Sequence, residues 1–214
     1  MKKGKTLIVL GLLLIAAALG LIIYNFWDAH RAGKASEAVL SQLAPQVAQA
    51  VEGAPVYPAS GSSFLPESGE NAVEYPDFVL NPEMAPPTQE IDGNFYIGIL
   101  SLPSLRRTLP IVAACSDENL KIAPCCYNGS PYLENFVIAG HNYFTHFSSL
   151  GAMRIGDSVT FTDLDGNVFA YEVAEVTTLP ANAVEEMTAG DWALTLFTCT
   201  AGRTERITVR CKPK

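Results

Sequence analysis

Between Thr6 and Trp27 the chain is almost wholly apolar (TLIVLGLLLIAAALGLIIYNFW). A run of this length matches what a helix needs to cross the ~30 Å hydrocarbon core of a bilayer. Tyr24 and Trp27 stand at its far end, where amphipathic aromatics favour the membrane interface. Ala16-Ala17-Ala18 offers the small residues of a signal-peptide cleavage site, but the apolar run continues past it, and signal-peptide cores are shorter. The run is therefore read as an uncleaved anchor within residues 1–33. Lys2, Lys3 and Lys5 precede it, which favours a cytoplasmic N-terminus and places the rest of the chain outside.

The charge is uneven. Residues 1–34 carry a net charge of +4, residues 35–105 carry −9 with no Lys or Arg, and residues 106–214 carry −3. No basic face is evident for neutralising phosphates, so nucleic acid is excluded as a partner. Residues 34–52 have helical composition, with Val39, Leu40, Leu43, Val47 and Val51 near helical spacing. They read as a juxtamembrane helix or a stalk, which Pro45 should kink or break. Residues 53–90 are rich in Pro, Gly, Ser and Glu, and read as an acidic spacer too polar to offset its ordering entropy.

From Ile91 the pattern changes. Short β-rich runs follow at 94–100, 109–113, 135–139, 158–162, 168–173, 193–198 and 206–211, broken by turn signals such as Asp163-Leu164-Asp165-Gly166-Asn167. Ser116 is positioned to cap one helical turn, and a short helix is expected within 144–153. Seven or eight strands with only short helical pieces make residues 91–214 a mainly β domain, a barrel or a sandwich.

Five cysteines occur without metal-ligand spacing, and the three histidines are scattered, which argues against zinc. Cys115 and Cys211 read as small buried hydrophobes. Adjacent Cys125 and Cys126 should not bond to each other. Cys199 differs, because it ends a strand and so should lie at a sheet rim. Arg206 opens the return strand seven residues on, so a hairpin brings the two near one rim. A thiol beside a permanent cation suits acyl chemistry: the thiolate attacks, and the guanidinium holds the oxyanion. His141 also follows an apolar strand, and could exchange the proton at a leaving amine. His146 reads as a packing residue beside Phe144 and Phe147.

These residues resemble a known family. Thr195-Leu196-Phe197-Thr198-Cys199 matches the sortase signature T-L-x-T-C, Arg206 falls where sortases carry their arginine, and Val137-Ile138-Ala139-Gly140-His141-Asn142 resembles the segment with the sortase histidine. Tyr96 to Pro103 and Leu109 to Val112 resemble the first two sortase strands. The resemblance spans roughly residues 91–212 and is nearest to class B and class D sortases of clostridia. It implies a closed eight-stranded β-barrel and a cysteine transpeptidase on the surface of Gram-positive cells. Cys199 would attack an LPxTG-like sorting signal, His141 would act as acid and base, and Arg206 would hold the substrate and the oxyanion. Thr198 would help to orient the substrate. The implied partners are secreted proteins bearing that signal and an amine acceptor, such as a peptidoglycan precursor or a pilin lysine.

The stretch before the barrel carries no Asp-Pro-aromatic plug of pilin-polymerising class C enzymes; its Tyr75-Pro76-Asp77-Phe78 runs in another order. No cofactor is expected. Some sortases are stimulated by calcium, but the Asp163 loop has Ala174 where a calcium loop needs its distal Glu. Two rival readings are a catalytically silent membrane-tethered barrel that binds cell-wall proteins, and a simple cysteine protease.

Overall fold

The computed structural model describes residues 2–52 and 76–214. Residues 53–75 of the expected spacer lie outside the described residues. Nine strands form the sheet: β1 (Gln89–Ile91), β2 (Asn94–Leu102), β3 (Arg107–Val112), β4 (Cys125–Asn128), β5 (Phe136–Ala139), β6 (Ser158–Asp163), β7 (Val168–Pro180), β8 (Leu194–Cys199) and β9 (Glu205–Pro213). Their order is β1-β2-β3-β4-β5-β8-β9-β7-β6, and β6 pairs back onto β2. Strands β2 to β9 thus close an eight-stranded barrel, with β1 folded onto β2 as an extra hairpin arm. Closure decides the choice between barrel and sandwich that periodicity left open. Most junctions are antiparallel; β3–β4 and β5–β8 are parallel.

The interior holds Leu100, Ile111, Phe136, Ile138, Phe161, Tyr171, Leu194, Leu196 and Val209. Strand β6 alternates buried and half-buried positions, as a strand with one covered face should. Strands β5 and β8 are buried almost throughout, because their outer faces are covered too. That second layer joins Val39, Leu43 and Val47, on a helix that packs mainly on β2 and β3, with Tyr96, Ile99, Val112, Ala123, Val137, Met187 and Phe197. Burying each of these three helix residues contributes about 1.5–3 kcal/mol.

Those residues belong to α1, one uninterrupted helix from Lys2 to Val51. It joins the expected anchor and the expected juxtamembrane helix without a break. Pro45 neither ends nor separates it, contrary to expectation. The ring points to solvent, while Leu43 and Val47 on either side are pressed onto the barrel, and that packing offsets the lost hydrogen bond. The apolar part of α1 is exposed on all sides, and it is long and apolar enough to cross a membrane.

Among the described residues three short α-helices complete the fold: α2 (Asp77–Leu80), α3 (Asp117–Leu120) and α4 (Val184–Thr188). Ser116 caps α3 by accepting a bond from the Asn119 N–H (3.1 Å), as its position suggested. The helix expected within 144–153 reduces to turns and a single 3-10 turn at Leu150–Ala152. In the last part of the expected spacer, Phe78 of α2 stacks on Tyr132 (4.7 Å between centroids) and packs on Phe169 (5.4 Å). This stretch is therefore part of the barrel's cover.

Cys115 is not an isolated hydrophobe. It is disulfide-bonded to Cys125, with Cα atoms 5.1 Å apart. The parallel contact between β3 and β4 pairs Val112 with Cys125, which brings the thiol three residues after Val112 to its partner. Cys126, Cys199 and Cys211 are free, and burial pushes the Cys126 thiol up and the Cys211 thiol up to about 12.

Candidate active site

Strand β8 ends at Cys199, and its ladder with β9 pairs Cys199 directly with Arg206. Residues opposite one another in an antiparallel pair share a face, so thiol and guanidinium start from the same side of the sheet. Both are half-buried. The turn between them is held by the Thr200 N–H donating to the Glu205 carbonyl and the Arg203 N–H donating to the Thr200 carbonyl (both 3.0 Å). Arg203 takes a left-handed conformation there (φ 59°). Arg206 Nη1 donates to the carbonyls of Arg203 (3.3 Å) and Glu205 (3.2 Å), which folds its head back along the turn.

His141 arrives by the parallel neighbour. Strand β5 pairs with β8 from Phe136–Leu194 to Ala139–Phe197, and the Gly140 N–H continues the ladder to the Phe197 carbonyl (3.0 Å). Two residues beyond the Ala139–Phe197 pair, His141 leaves β5 at the same end of the sheet at which β8 ends in Cys199. Three residues singled out in the sequence therefore lie at one rim of the barrel, although 58 positions separate His141 from Cys199. Gly140 is required for this approach, because an added Cβ would lie 2.4 Å from Phe147 Cδ2.

Burial holds the His141 imidazole below its usual pKa, and the Arg203 guanidinium adds to the effect. The carboxylates of Asp117 and Asp28 oppose it, and Lys121 works with Arg203. Arg203, in the turn between Cys199 and Arg206, is thus an electrostatic neighbour of the imidazole. Thr198 lies differently. Leu194 and Leu196 face the barrel interior while Phe197 belongs to the helix-side layer, so the alternation turns Thr198 inward, away from Cys199. Its side chain is buried (1% exposed), and its hydroxyl has no hydrogen-bond partner among the described residues.

His146 is buried, and its Nε2 lies 3.3 Å from Ser36 Oγ of α1. Burial lowers its pKa to about 4. It links the loop after β5 to the helix, and the Tyr143 ring lies between it and His141 (5.5 and 4.9 Å). Tyr143 was not anticipated: its ring lies 4.9 Å from that of His141, and its hydroxyl donates to the Asp28 carboxylate on α1. Nothing in local sequence pattern links residues 115 positions apart. Asp163, read as a turn residue, accepts bonds from the Tyr132 hydroxyl, the Asp165 and Asn167 N–H groups and the Asn167 side chain. Among the described residues no group of three His, Cys, Asp or Glu is arranged to hold a metal ion.

Phe78, from the stretch compared with a class C plug, contacts Tyr132 and Phe169. Tyr132 precedes β5 and Phe169 opens β7, which is the end of the barrel away from His141 and Cys199. It does not cover the rim.

A family model described as "Sortase domain" matches residues 100–214. With the closed barrel, this makes the chain a member of the sortase family, a cysteine transpeptidase. Among solved structures it is similar to sortase C of Streptococcus pneumoniae, with 26% identity over 56% of this chain and 68% of that one and a TM-score of 0.50. It also resembles the Clostridium perfringens sortase D5 transpeptidase (22% identity, 56% and 79% covered, TM-score 0.50). A third is C. perfringens sortase C, solved with the C-terminal cell wall sorting motif (22% identity, 64% and 82% covered, TM-score 0.51). The comparison with curated proteins gave no match. The neighbours thus include sortases C and D.

Proposed function

We propose that the chain is a membrane-anchored transpeptidase of the Gram-positive cell surface, acting on LPxTG-like sorting signals. The pairing of Cys199 with Arg206 at the rim that His141 also reaches carries this reading. In the first half-reaction the Cys199 thiolate attacks the carbonyl carbon of the signal's Thr. Arg206 donates to the oxygen as it gains negative charge. The C–N bond breaks, the electron pair leaves on nitrogen, and His141 delivers the proton that makes it a neutral amine. In the second half-reaction an acceptor amine attacks the thioacyl carbon, His141 takes its proton, and the thiolate leaves. The lowered pKa of His141 favours the neutral imidazole at rest, which can take the thiol proton and later act as the acid.

Thr198 supports this site from beneath. Its side chain faces the core, so its contribution to substrate runs through the backbone and the placement of the strand end. The helix α1 anchors the enzyme with its N-terminus in the cytoplasm. The acceptor is a peptidoglycan-precursor amine or a pilin lysine. Sortase C of S. pneumoniae, to which the chain is similar, shows pilin substrate specificity, which keeps the pilin lysine among the acceptors.

The test incubates the full chain in detergent with sorting-signal peptides and an amine, and follows products by mass spectrometry. Transpeptidation product is expected from the native chain, with none from Cys199→Ala and nearly none from His141→Ala. Arg206→Lys should lose much activity, because an ammonium lacks the planar fork. Full activity in Arg206→Lys with loss in Arg203→Lys would transfer the role to Arg203. Hydrolysis that does not yield to aminolysis as amine is raised would make the chain a protease.

A further inference from the structure

The loop that leaves β5, from His141 to Ser149, lies along α1 just beyond the apolar run. Tyr143 donates to Asp28, Thr145 Oγ1 donates to the Ala29 carbonyl (3.0 Å), and His146 meets Ser36. Gly33 makes room for this contact, since a Cβ there would lie 2.5 Å from Thr145 Cγ2. Phe144 takes another direction. Its ring stacks on Phe26, with centroids 5.4 Å apart and planes 17° apart. Phe26 belongs to the apolar run itself and is 64% exposed, while Phe144 is 42% exposed. A barrel side chain therefore touches a side chain of the span.

The helix continues unbroken through these residues, so no hinge lets the barrel lift away from the span. Its far end fixes the opposite pole. Gly166, in the β6–β7 turn, packs so closely on Ala50 that a Cβ would lie 2.5 Å from the Ala50 carbonyl carbon. From Ala29 to Ala50 a helix rises about 32 Å. The β5 loop and the β6–β7 turn thus occupy opposite ends of the docked segment. Around the near end stand Tyr24, Trp27 and Arg31, whose guanidinium lies over the Trp27 ring at 5.8 Å. Aromatic and cationic side chains in that combination suit the headgroup region.

We propose that the β5 loop rests on the outer membrane surface, with Phe144 inserted at the boundary between headgroups and acyl chains and the β6–β7 turn pointing away. This rests on the reading of α1 as the anchor. The occupant of the exposed Phe144 face is the lipid bilayer, because the ring is continuous with the side chain of a span that the bilayer must surround. His141 lies three residues before Phe144, so the rim with Cys199 and Arg206 opens at membrane level and meets ligands presented at the bilayer surface.

The test reconstitutes the full chain in phosphatidylcholine–phosphatidylglycerol vesicles with or without brominated acyl chains, which quench nearby tryptophan. Three single-tryptophan proteins are compared: Trp192→Phe, which leaves Trp27; Trp27→Phe, which leaves Trp192; and Phe144→Trp combined with both replacements. Trp192 precedes Cys199 by seven residues, at the other end of β8. Fluorescence should fall about two-fold on bromination for the Trp27 protein and for the Phe144→Trp protein, as interfacial aromatics require. It should not change for the Trp192 protein. An unquenched Phe144→Trp protein beside a quenched Trp27 protein overturns the proposal and leaves the anchor intact. An unquenched Trp27 protein refutes the anchor, and the proposal with it. If Phe144→Trp does not fold, the native chain in nanodiscs with spin-labelled lipid decides. Broadening of the amide signals of residues 142–145 but not 164–167 is expected; sharp signals at 142–145 overturn the proposal.

Discussion

Replacing Gly140 by Ala should damage the site from behind. The new methyl group would stand 2.4, 2.7 and 2.9 Å from three ring carbons of Phe147, where carbon atoms normally rest about 3.5–4.0 Å apart. Something must therefore retreat by roughly 1 Å. The backbone of Gly140 cannot do so freely, because its N–H donates to the Phe197 carbonyl (3.0 Å) and the next carbonyl accepts from the Phe147 N–H (3.2 Å). Phe147 cannot swing out either, since its ring is fully buried beside Leu150 in the barrel core. Overpacking of this kind costs about 1–3 kcal/mol, and two fixed partners put this case near 2–3 kcal/mol. Phe147→Leu alone should cost about 1–2 kcal/mol, less than the 3–5 kcal/mol of a full truncation to Ala. Together the two changes relieve one another, because the smaller side chain vacates the space that the methyl needs. Urea unfolding of the full chain in detergent, followed by near-ultraviolet circular dichroism, measures all three. The double variant should be at least 1 kcal/mol more stable than the sum of the single costs predicts. Additivity within about 0.5 kcal/mol would refute the claim that Gly140 is required by contact with Phe147.

Two further outcomes are expected. His146 is held at a pKa of about 4, below the usual 6.5, so the unfolded chain binds the extra proton first. Its contribution is intact above pH 6.5 and is lost as pH falls toward 4, and unfolding at pH 5 should be easier by about 2 kcal/mol than at pH 7.5. Other groups also titrate there, so the check is the difference from His146→Gln, which should lose this part of the slope. Removing the Cys115–Cys125 bond, which closes a separation of 10 residues, should cost about 2.7 kcal/mol by the loop-entropy relation, read as a lower urea midpoint in Cys115→Ser/Cys125→Ser.

Much of the site was legible because its parts follow local rules. Cys199 and Arg206 lie on one hairpin, so turn length alone pairs them. His141 shares their rim through a parallel ladder between β5 and β8. Parallel neighbours need a long crossover, and the 54 residues between Ala139 and Leu194 conceal the pairing from any local pattern. The apolar spacing of Val39, Leu43 and Val47 was visible as a helix face. What it covers was not, because β2 and β3, on which it mainly packs, are buried on both faces and show only near-continuous apolar runs. Pro45 misled because its local penalty is real, but packing on both sides exceeds it. Phe78 and Met84 sit in a stretch whose composition resembles a linker, and these two side chains dock it on the barrel core. Tyr143 and Asp28 carry no pattern at all; they meet only because α1 lies against the β5 loop.

The disulfide has a structural consequence beyond its stability. Eight junctions close the barrel, and seven are ladders of three or more residue pairs. The eighth, between β3 and β4, is a single pair, Val112 with Cys125. Cys115–Cys125 lies across that gap, so the hoop has one clasp, and the clasp is covalent. Without that bond, opening would begin where the fewest hydrogen bonds must break, which makes this seam the place where the reduced barrel would first part. In a reducing compartment the clasp stays undone, and the hoop is fastened only once the chain meets an oxidising medium.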